Sequence, residues 1–227
     1  MPIHLHPTAE LAPRALLPGD PGRALALAQV LLDEPRMFNH NRGLWGYTGP
    51  AKADGAPLTI QSTGMGGPSA AIVVHELIEL GLQTAVRVGT CGALVPELGL
   101  GDLVVACEAI ALDGASRALG ADGRPAADPG LTTSLASAAG VRSEPIVTHD
   151  VFYDPADRIA EWTAQGAVAV EMEAATVFTA CAARGVRAGC VLAVSDTLLG
   201  GRERIDHEGL VAASERLGAV AVEALAR

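Results

Sequence analysis

Leu58-Thr59-Ile60-Gln61-Ser62, then Thr63-Gly64-Met65-Gly66-Gly67, then residues 68–80 follow one another without a break, and their order decides the fold. The first run reads as a buried strand, the second as a glycine-bearing turn, and the third as a helix. Pro68 suits the helix's first turn and Gly81 its C-terminal stop. The same unit occurs upstream, where 15–17 reads as a strand leading into a turn at Gly19 and 23–32 as the helix that follows. Downstream, 85–88 and 103–109 carry the β-branched runs of buried strands, and 146–148 is a shorter candidate. Helices are expected over 156–165 and 172–184, a last strand over 191–195 and a closing amphipathic helix over 208–226. Residues 113–130, rich in Gly, Asp, Ala and Pro, read as an excursion or loop. Strands alternating with helices predict an α/β protein whose sheet is covered on both faces.

The chain has 227 residues, of which 49% are hydrophobic, enough for one well-buried domain over 1–227 and too many for a disordered chain. A formal net charge of -10 argues against nucleic acid or an anionic membrane surface as partner, so an anionic ligand has to be held locally. Cys91, Cys107, Cys181 and Cys190 show no Cys-x-x-Cys spacing and lie in apolar surroundings, which fits a reduced, cytoplasmic protein. Neither a signal peptide nor a membrane-spanning run is expected.

Against that acidic background three arginines sit inside glycine-bearing segments: Gly19-Asp20-Pro21-Gly22-Arg23, Asn41-Arg42-Gly43 and Arg87-Val88-Gly89-Thr90-Cys91-Gly92. Guanidinium groups offer fixed, permanently charged donors, and glycines let backbone N–H groups approach an oxyanion, so the combination suits phosphate. Each segment read alone is also an ordinary strand-to-helix turn with a surface arginine. Segments 19–23, 64–67, 87–92 and Ser195-Asp196 are all expected at the carboxyl ends of strands, the edge where open α/β sheets bind ligands. Gly64-Met65-Gly66-Gly67 fails the dinucleotide-binding spacing. No Gly-Lys-Ser/Thr phosphate loop exists, because Lys52 is the only lysine. His75-Glu76, alone in an apolar helix, reads as helix surface, and no zinc-ligand spacing is present. In Val170-Glu171-Met172-Glu173 the acids suit a helix start, yet a carboxylate there could also accept two vicinal sugar hydroxyls while the methionine packs on the sugar face. Asp196 either caps a turn or, beside a sugar site, donates a proton.

Assembled, these residues resemble the nucleoside phosphorylase family, in particular its bacterial hexameric purine branch, with uridine phosphorylases as relatives. The resemblance covers nearly the whole chain. It rests on Leu17-Pro18-Gly19-Asp20-Pro21-Gly22-Arg23, Asn41-Arg42-Gly43-Leu44-Trp45-Gly46-Tyr47-Thr48-Gly49, Ser62-Thr63-Gly64-Met65-Gly66, Arg87-Val88-Gly89-Thr90-Cys91-Gly92-Ala93, Val170-Glu171-Met172-Glu173-Ala174-Ala175 and Ser195-Asp196. It implies a three-layer α/β/α subunit around a mixed, partly barrel-like sheet, and a homo-hexamer, a trimer of dimers, whose active sites are shared between neighbours.

By the same resemblance, Gly19, Arg23, Arg87 and Thr90 would bind phosphate from one subunit, with Arg42 and His4 supplied by the neighbour; His6 competes with His4 for the ribose end. Glu173 would accept the ribose hydroxyls and Met172 pack on the sugar. Glu171 would stand near sugar and base, and Met65 would extend the apolar wall. Phe152 would stack near the base, Cys91, Gly92 and Ser195 would line its pocket, and Asp196 would protonate it. An arginine assisting that acid would be Arg204, with Arg202 as the competitor. Inorganic phosphate would be a co-substrate, with no cofactor and no metal. The resemblance further implies purine salvage. Uridine phosphorolysis, which Thr90 would also suit, is the first alternative, and phosphorolysis or hydrolysis of 5′-methylthioadenosine the second. The Gln-x-Arg pair of the uridine branch has no counterpart over 151–161, where Arg158 stands without a glutamine.

Overall fold

The structure, a computed structural model, describes residues 2–154 and 158–227. In chain order, β1 (Arg14–Leu17) turns into α1 (Pro21–Leu31), whose first free amides, Gly22 and Arg23, donate to the Asp20 carboxylate. Next come β2 (Arg36–Asn39), β3 (Gly46–Pro50) and β4 (Pro57–Gln61), which pair antiparallel in succession. The turn after β4 holds Gly64 and Gly66 at φ of 72 and 85°, a backbone that side chains oppose, and delivers the chain into α2 (Gly67–Glu79). Then follow β5 (Thr84–Ala93), β6 (Leu103–Leu112), α3 (Gly114–Ala118), α4 (Pro129–Ala139), β7 (Ser143–His149) and α5 (Ile159–Ala164). The chain closes with β8 (Ala169–Glu171), α6 (Ala174–Ala182), β9 (Arg187–Thr197), β10 (Glu203–Arg204) and α7 (His207–Ala226).

Strand β5 is where the sheet divides. One edge pairs with β9 along its whole length, while the other pairs with β1 over its first residues and with β8 over Gly92 and Ala93. The strands β5, β9, β6, β7 and β8 therefore close a five-stranded mixed barrel, and β1, β4, β3 and β2 extend from it as an open sheet. A ring so small bends its strands sharply, and Gly89, Cys91 and Gly92 supply the small side chains that allow it.

Alternate residues of the strands feed two helical layers, the period-two signature of a sheet buried on both faces. Leu16, Val86, Val88, Val105 and Val191 pack with Leu27, Leu131, Leu135 and Leu217 from α1, α4 and α7. On the opposite face, Leu17, Ala85, Val104, Cys190 and Leu192 pack with Val73, Leu77, Val177 and Phe178 from α2 and α6. The three-layer α/β/α architecture with a barrel-like sheet is thus present.

Several sequence expectations are corrected in detail. Residues 89–92 continue a strand rather than forming a turn at its end, because two neighbouring strands pair with them. Residues 113–130 are not a plain loop: Asp113 caps α3, Ala126 bridges to Glu108, and Asp128 caps α4. The helix expected over 156–165 is α5 from Ile159; Ala156 lies outside the described residues. Strand 191–195 is not the last, since β10 pairs Arg204 with Asp196.

Candidate active site

The carboxyl-end segments converge on one cavity of about 440 Å³, lined by residues of every glycine-bearing motif except Asn41-Arg42-Gly43. Gly19, Arg23, Met65, Arg87, Thr90, Cys91, Gly92, Phe152, Glu171, Met172, Glu173, Ser195 and Asp196 all line it.

Arg87 projects from β5 and is 4% exposed. Its Nε donates to Glu171 Oε2 at 2.7 Å and its Nη2 pairs with Glu173 Oε2. Burial alone would pull the guanidinium pKa down, but Glu173 and Glu171 more than offset it and hold it above its ordinary value. Gly89 makes room: a Cβ there would come within 2.8 Å of Arg87 Nη2. Arg23, anchored by an Nε contact of 3.3 Å to Ser214 Oγ on α7, has its pKa lowered by burial and by the nearby Arg87 charge. A dianion entering beside two clustered cations relieves that repulsion.

The two acids of Val170-Glu171-Met172-Glu173 do different work. Glu171 is turned to the protein: Oε1 accepts from Thr148 Oγ1 and Ala174 N, and Oε2 from Arg87 Nε and Glu173 N. It caps the start of α6, fixes Arg87, and presents no lone pair free of a protein donor. Glu173 has one protein partner per oxygen, Gly66 N on Oε1 and Arg87 on Oε2. Each of its oxygens retains acceptor capacity for a ligand hydroxyl. Burial, then the repulsion of Glu171 working against the Arg87 attraction, raises the Glu173 pKa.

Asp196 and Ser195 enter through a register irregularity. Cys91 pairs with Val194 and Gly92 with Asp196, so Ser195 is the extra residue of a β-bulge. Asp196 is 5% exposed; its Oδ2 accepts from Ser195 Oγ at 2.7 Å, and its Oδ1 has no hydrogen-bond partner among the described residues. Arg204 Nε lies 3.3 Å from that oxygen and Arg202 Nε 3.9 Å, both as ion pairs without hydrogen-bond geometry. Arg202 lines the cavity and sits 4.6 Å over the Phe152 ring, joining the segments after β7 and β9 across the mouth; Arg204 does not line it. Met65 stands at the rim, 85% exposed. Cys91 is buried, its thiol pushed up by desolvation, and all four cysteines are unpaired.

Sequence reading missed His149, Asp154 and Trp162, which line the same cavity, and assigned no role to Arg158, which does too. His149 Nε2 lies 3.1 Å from Asp154 Oδ2, Arg158 Nε donates to the same oxygen at 2.8 Å, and the Trp162 ring centroid is 5.3 Å from that of His149. A histidine at the end of the short strand 146–148, five residues before an acid, was the available signal.

His4 and Arg42 lie outside this chain's own cavity, and they are tied together. Asn41 Nδ2 donates to the His4 carbonyl at 2.8 Å, and Asn39 Oδ1 accepts from the amides of His6 and Asn41. Arg42 is exposed and has a left-handed backbone, φ 58°. Glu76, expected on the helix surface, is buried instead: it accepts the amides of Ile3, His4 and Leu5 and contacts His4 Nδ1 at 2.8 Å. The His6 ring reaches the Ile3 carbonyl instead, at 3.3 Å. Among the described residues no group of His, Cys, Asp and Glu could hold a metal ion, and no helix is long and apolar enough to cross a membrane.

Barrel and cavity together define an α/β enzyme fold whose cavity brings Arg23 and Arg87 together with Glu171, Glu173 and Asp196. Residues 13–227 match the Phosphorylase superfamily, and the chain belongs to that family. It is 38% identical over 240 aligned positions to the "Purine nucleoside phosphorylase DeoD-type" of Geobacillus kaustophilus (strain HTA426), covering all of this chain and 99% of that one. It is 40% identical over 197 positions to the "Guanosine phosphorylase" of Halorubrum lacusprofundi, covering 84% of this chain and 80% of the relative. A second "Purine nucleoside phosphorylase DeoD-type", from Geobacillus sp. (strain WCH70), is 38% identical over 92% of both chains.

Proposed function

We propose that this chain catalyses the phosphorolysis of purine ribonucleosides and deoxyribonucleosides to free base and pentose 1-phosphate, a reaction of purine salvage. The observation that carries the reading is one cavity with Arg23 and Arg87 in its wall, the Glu173 carboxylate beside them and Asp196 in the same lining. The names of the relatives support it.

Phosphate held by Arg23, Arg87, Thr90 and Gly19 attacks the anomeric carbon as the glycosidic bond breaks. The positive charge that develops on the sugar is stabilised by the dianion beneath it. Glu173 accepts the sugar hydroxyls and fixes the ring, with Met172 against its apolar face and Met65 at the rim. Glu171 acts through Arg87 and the start of α6, holding the anion site in shape. Asp196, oriented by Ser195, delivers a proton to N7 of the departing purine, so that it leaves neutral. Arg204 or Arg202 pairs with the resulting carboxylate. Phe152 stacks on the base beside Cys91 and Gly92. No cofactor or metal takes part, and the protein works in the cytoplasm.

The exposed Arg42 and the linked His4 are read as one unit inserted into a neighbouring copy's cavity, which makes the assembly a homo-hexamer built of dimers. The test of function is base release from adenosine, inosine, guanosine, 5′-methylthioadenosine and uridine, with and without inorganic phosphate. Phosphate-dependent release from the purine nucleosides is expected. Equal release without phosphate would overturn the reading, as would turnover of uridine alone.

A further inference from the structure

We propose that Ser214, on the closing helix α7, is a positioning residue of the anion site, holding Arg23 by one nitrogen so that the rest of its guanidinium is left for phosphate. The proposal rests on the phosphate reading of the cavity and extends it to a residue that does not line that cavity.

The two cavity arginines are held in different ways. Arg87 is fixed by the carboxylates of Glu171 and Glu173. Arg23 forms no ion pair among the described residues; its side chain is held by the hydrogen bond that Nε donates to Ser214 Oγ at 3.3 Å. Asp20 attracts it, but that carboxylate accepts the amides of Gly22 and Arg23. A guanidinium has five N–H donors. With Nε on Ser214, four remain on the two terminal nitrogens, the fork that takes an oxyanion through two bonds. The Arg87 charge repels Arg23, and a free arginine side chain has many rotamers. Without the tether Arg23 would swing away from Arg87, and phosphate would have to order it on binding.

The packing of two helices brings Ser214 to this point. Arg23 and Leu27 lie one turn apart on α1, and Ser214 and Gly218 one turn apart on α7. Arg23 meets Ser214 at an offset of 191 residues, and Leu27 meets Gly218 at the same offset, so the two helices run side by side in the same direction. Gly218 permits the approach: a Cβ there would come within 2.5 Å of Leu27 Cδ2 and 2.9 Å of Leu31 Cδ1. Ser214, 8% exposed, is the polar member of a buried face otherwise made of Ala213, Leu217, Gly218, Ala221, Val222 and Ala224. Alanine is the better helix former at such a position, which leaves the contact with Arg23 as the reason for a hydroxyl.

The test makes Ser214→Ala alone and together with Arg23→Ala. Each protein is measured by kinetics with inosine and adenosine at varied phosphate, by calorimetric titration with inorganic phosphate and by urea unfolding. In Ser214→Ala the phosphate KM and dissociation constant should rise about five- to tenfold. The nucleoside KM and the unfolding free energy should stay near those of the parent. In the Arg23→Ala background the same substitution should add nothing further, because the hydroxyl then has no guanidinium to hold. A merely structural role would move both backgrounds alike. That outcome, or an unchanged phosphate KM in Ser214→Ala, overturns the proposal. If base release proves independent of phosphate, phosphorolysis falls, and the calorimetric cycle alone decides the role of Ser214; a parent without phosphate affinity overturns both.

Discussion

Arg87 holds the fold through two buried carboxylates and, on the proposed function, the anion as well, and its variants should reveal both. Its guanidinium compensates two buried carboxylates, so Arg87→Ala strands Glu171 and Glu173 without their cation. A loss of about 3–5 kcal/mol in unfolding free energy is expected alongside lost phosphate affinity, measured by denaturant titration and calorimetry. Arg23, half-buried with a single long contact to Ser214, should separate the two: Arg23→Ala weakens phosphate binding while the unfolding free energy stays near that of the parent. Asp196→Ala should do the opposite of both, lowering purine cleavage by about 100-fold or more with phosphate affinity intact. If Asp196→Ala and Arg23→Ala gave equal, mild losses in both measurements, the assigned roles would be wrong. The residue types of the cavity were legible because charge in glycine-bearing segments of an acidic chain is conspicuous. The division of labour between Glu171 and Glu173 was not, since sequence gives both the same address at a helix start and only the backbone shows which one caps it. His149 escaped notice for a different reason: only the pairing of β7 brings the end of that strand to the cavity.

At the scale of elements, the strand–turn–helix units were read from Pro, Gly and apolar runs, while the middle of β5 was misread for the same cause. Gly89 and Gly92 signal a turn in isolation; pairing of both with β9, and of Gly92 with β8 as well, overrides that signal. Helix α2 hides a comparable surprise. Glu76 sits in an apolar run that gives no hint of its partners, which come from more than seventy residues away. Burial would raise its pKa, but the amides of Leu5, Ile3 and His4 and the His4 ring bring it down to about 2 from an ordinary 4.5. A folded-state value below the unfolded one stabilises fully above about pH 4.5, and the contribution is lost as pH falls toward 2. Glu76→Gln should therefore cost about 2 kcal/mol near neutrality, and the gap between parent and variant should close across that acid window. Urea unfolding at several pH values checks this; a gap that stayed constant with pH would count against the clamp.

At the scale of the whole molecule, His4 and Arg42, which lie outside the cavity, are held together on another part of the surface by Asn39, Asn41 and Glu76. A motif that lines up with the others in sequence but not in the cavity is intelligible if the assembly, rather than the chain, is the functional unit. Mixing supplies the test. Arg42→Ala and Asp196→Ala proteins, each inactive alone, should regain activity when unfolded and refolded together, because about a quarter of shared sites draw both intact residues. No recovery would confine each site to one chain. On that proposal phosphate would tighten self-association, and dilution would loosen phosphate by the same factor. A cavity completed by another copy of its own chain has no occupancy to itself: filling it and finding a partner become two readings of a single equilibrium.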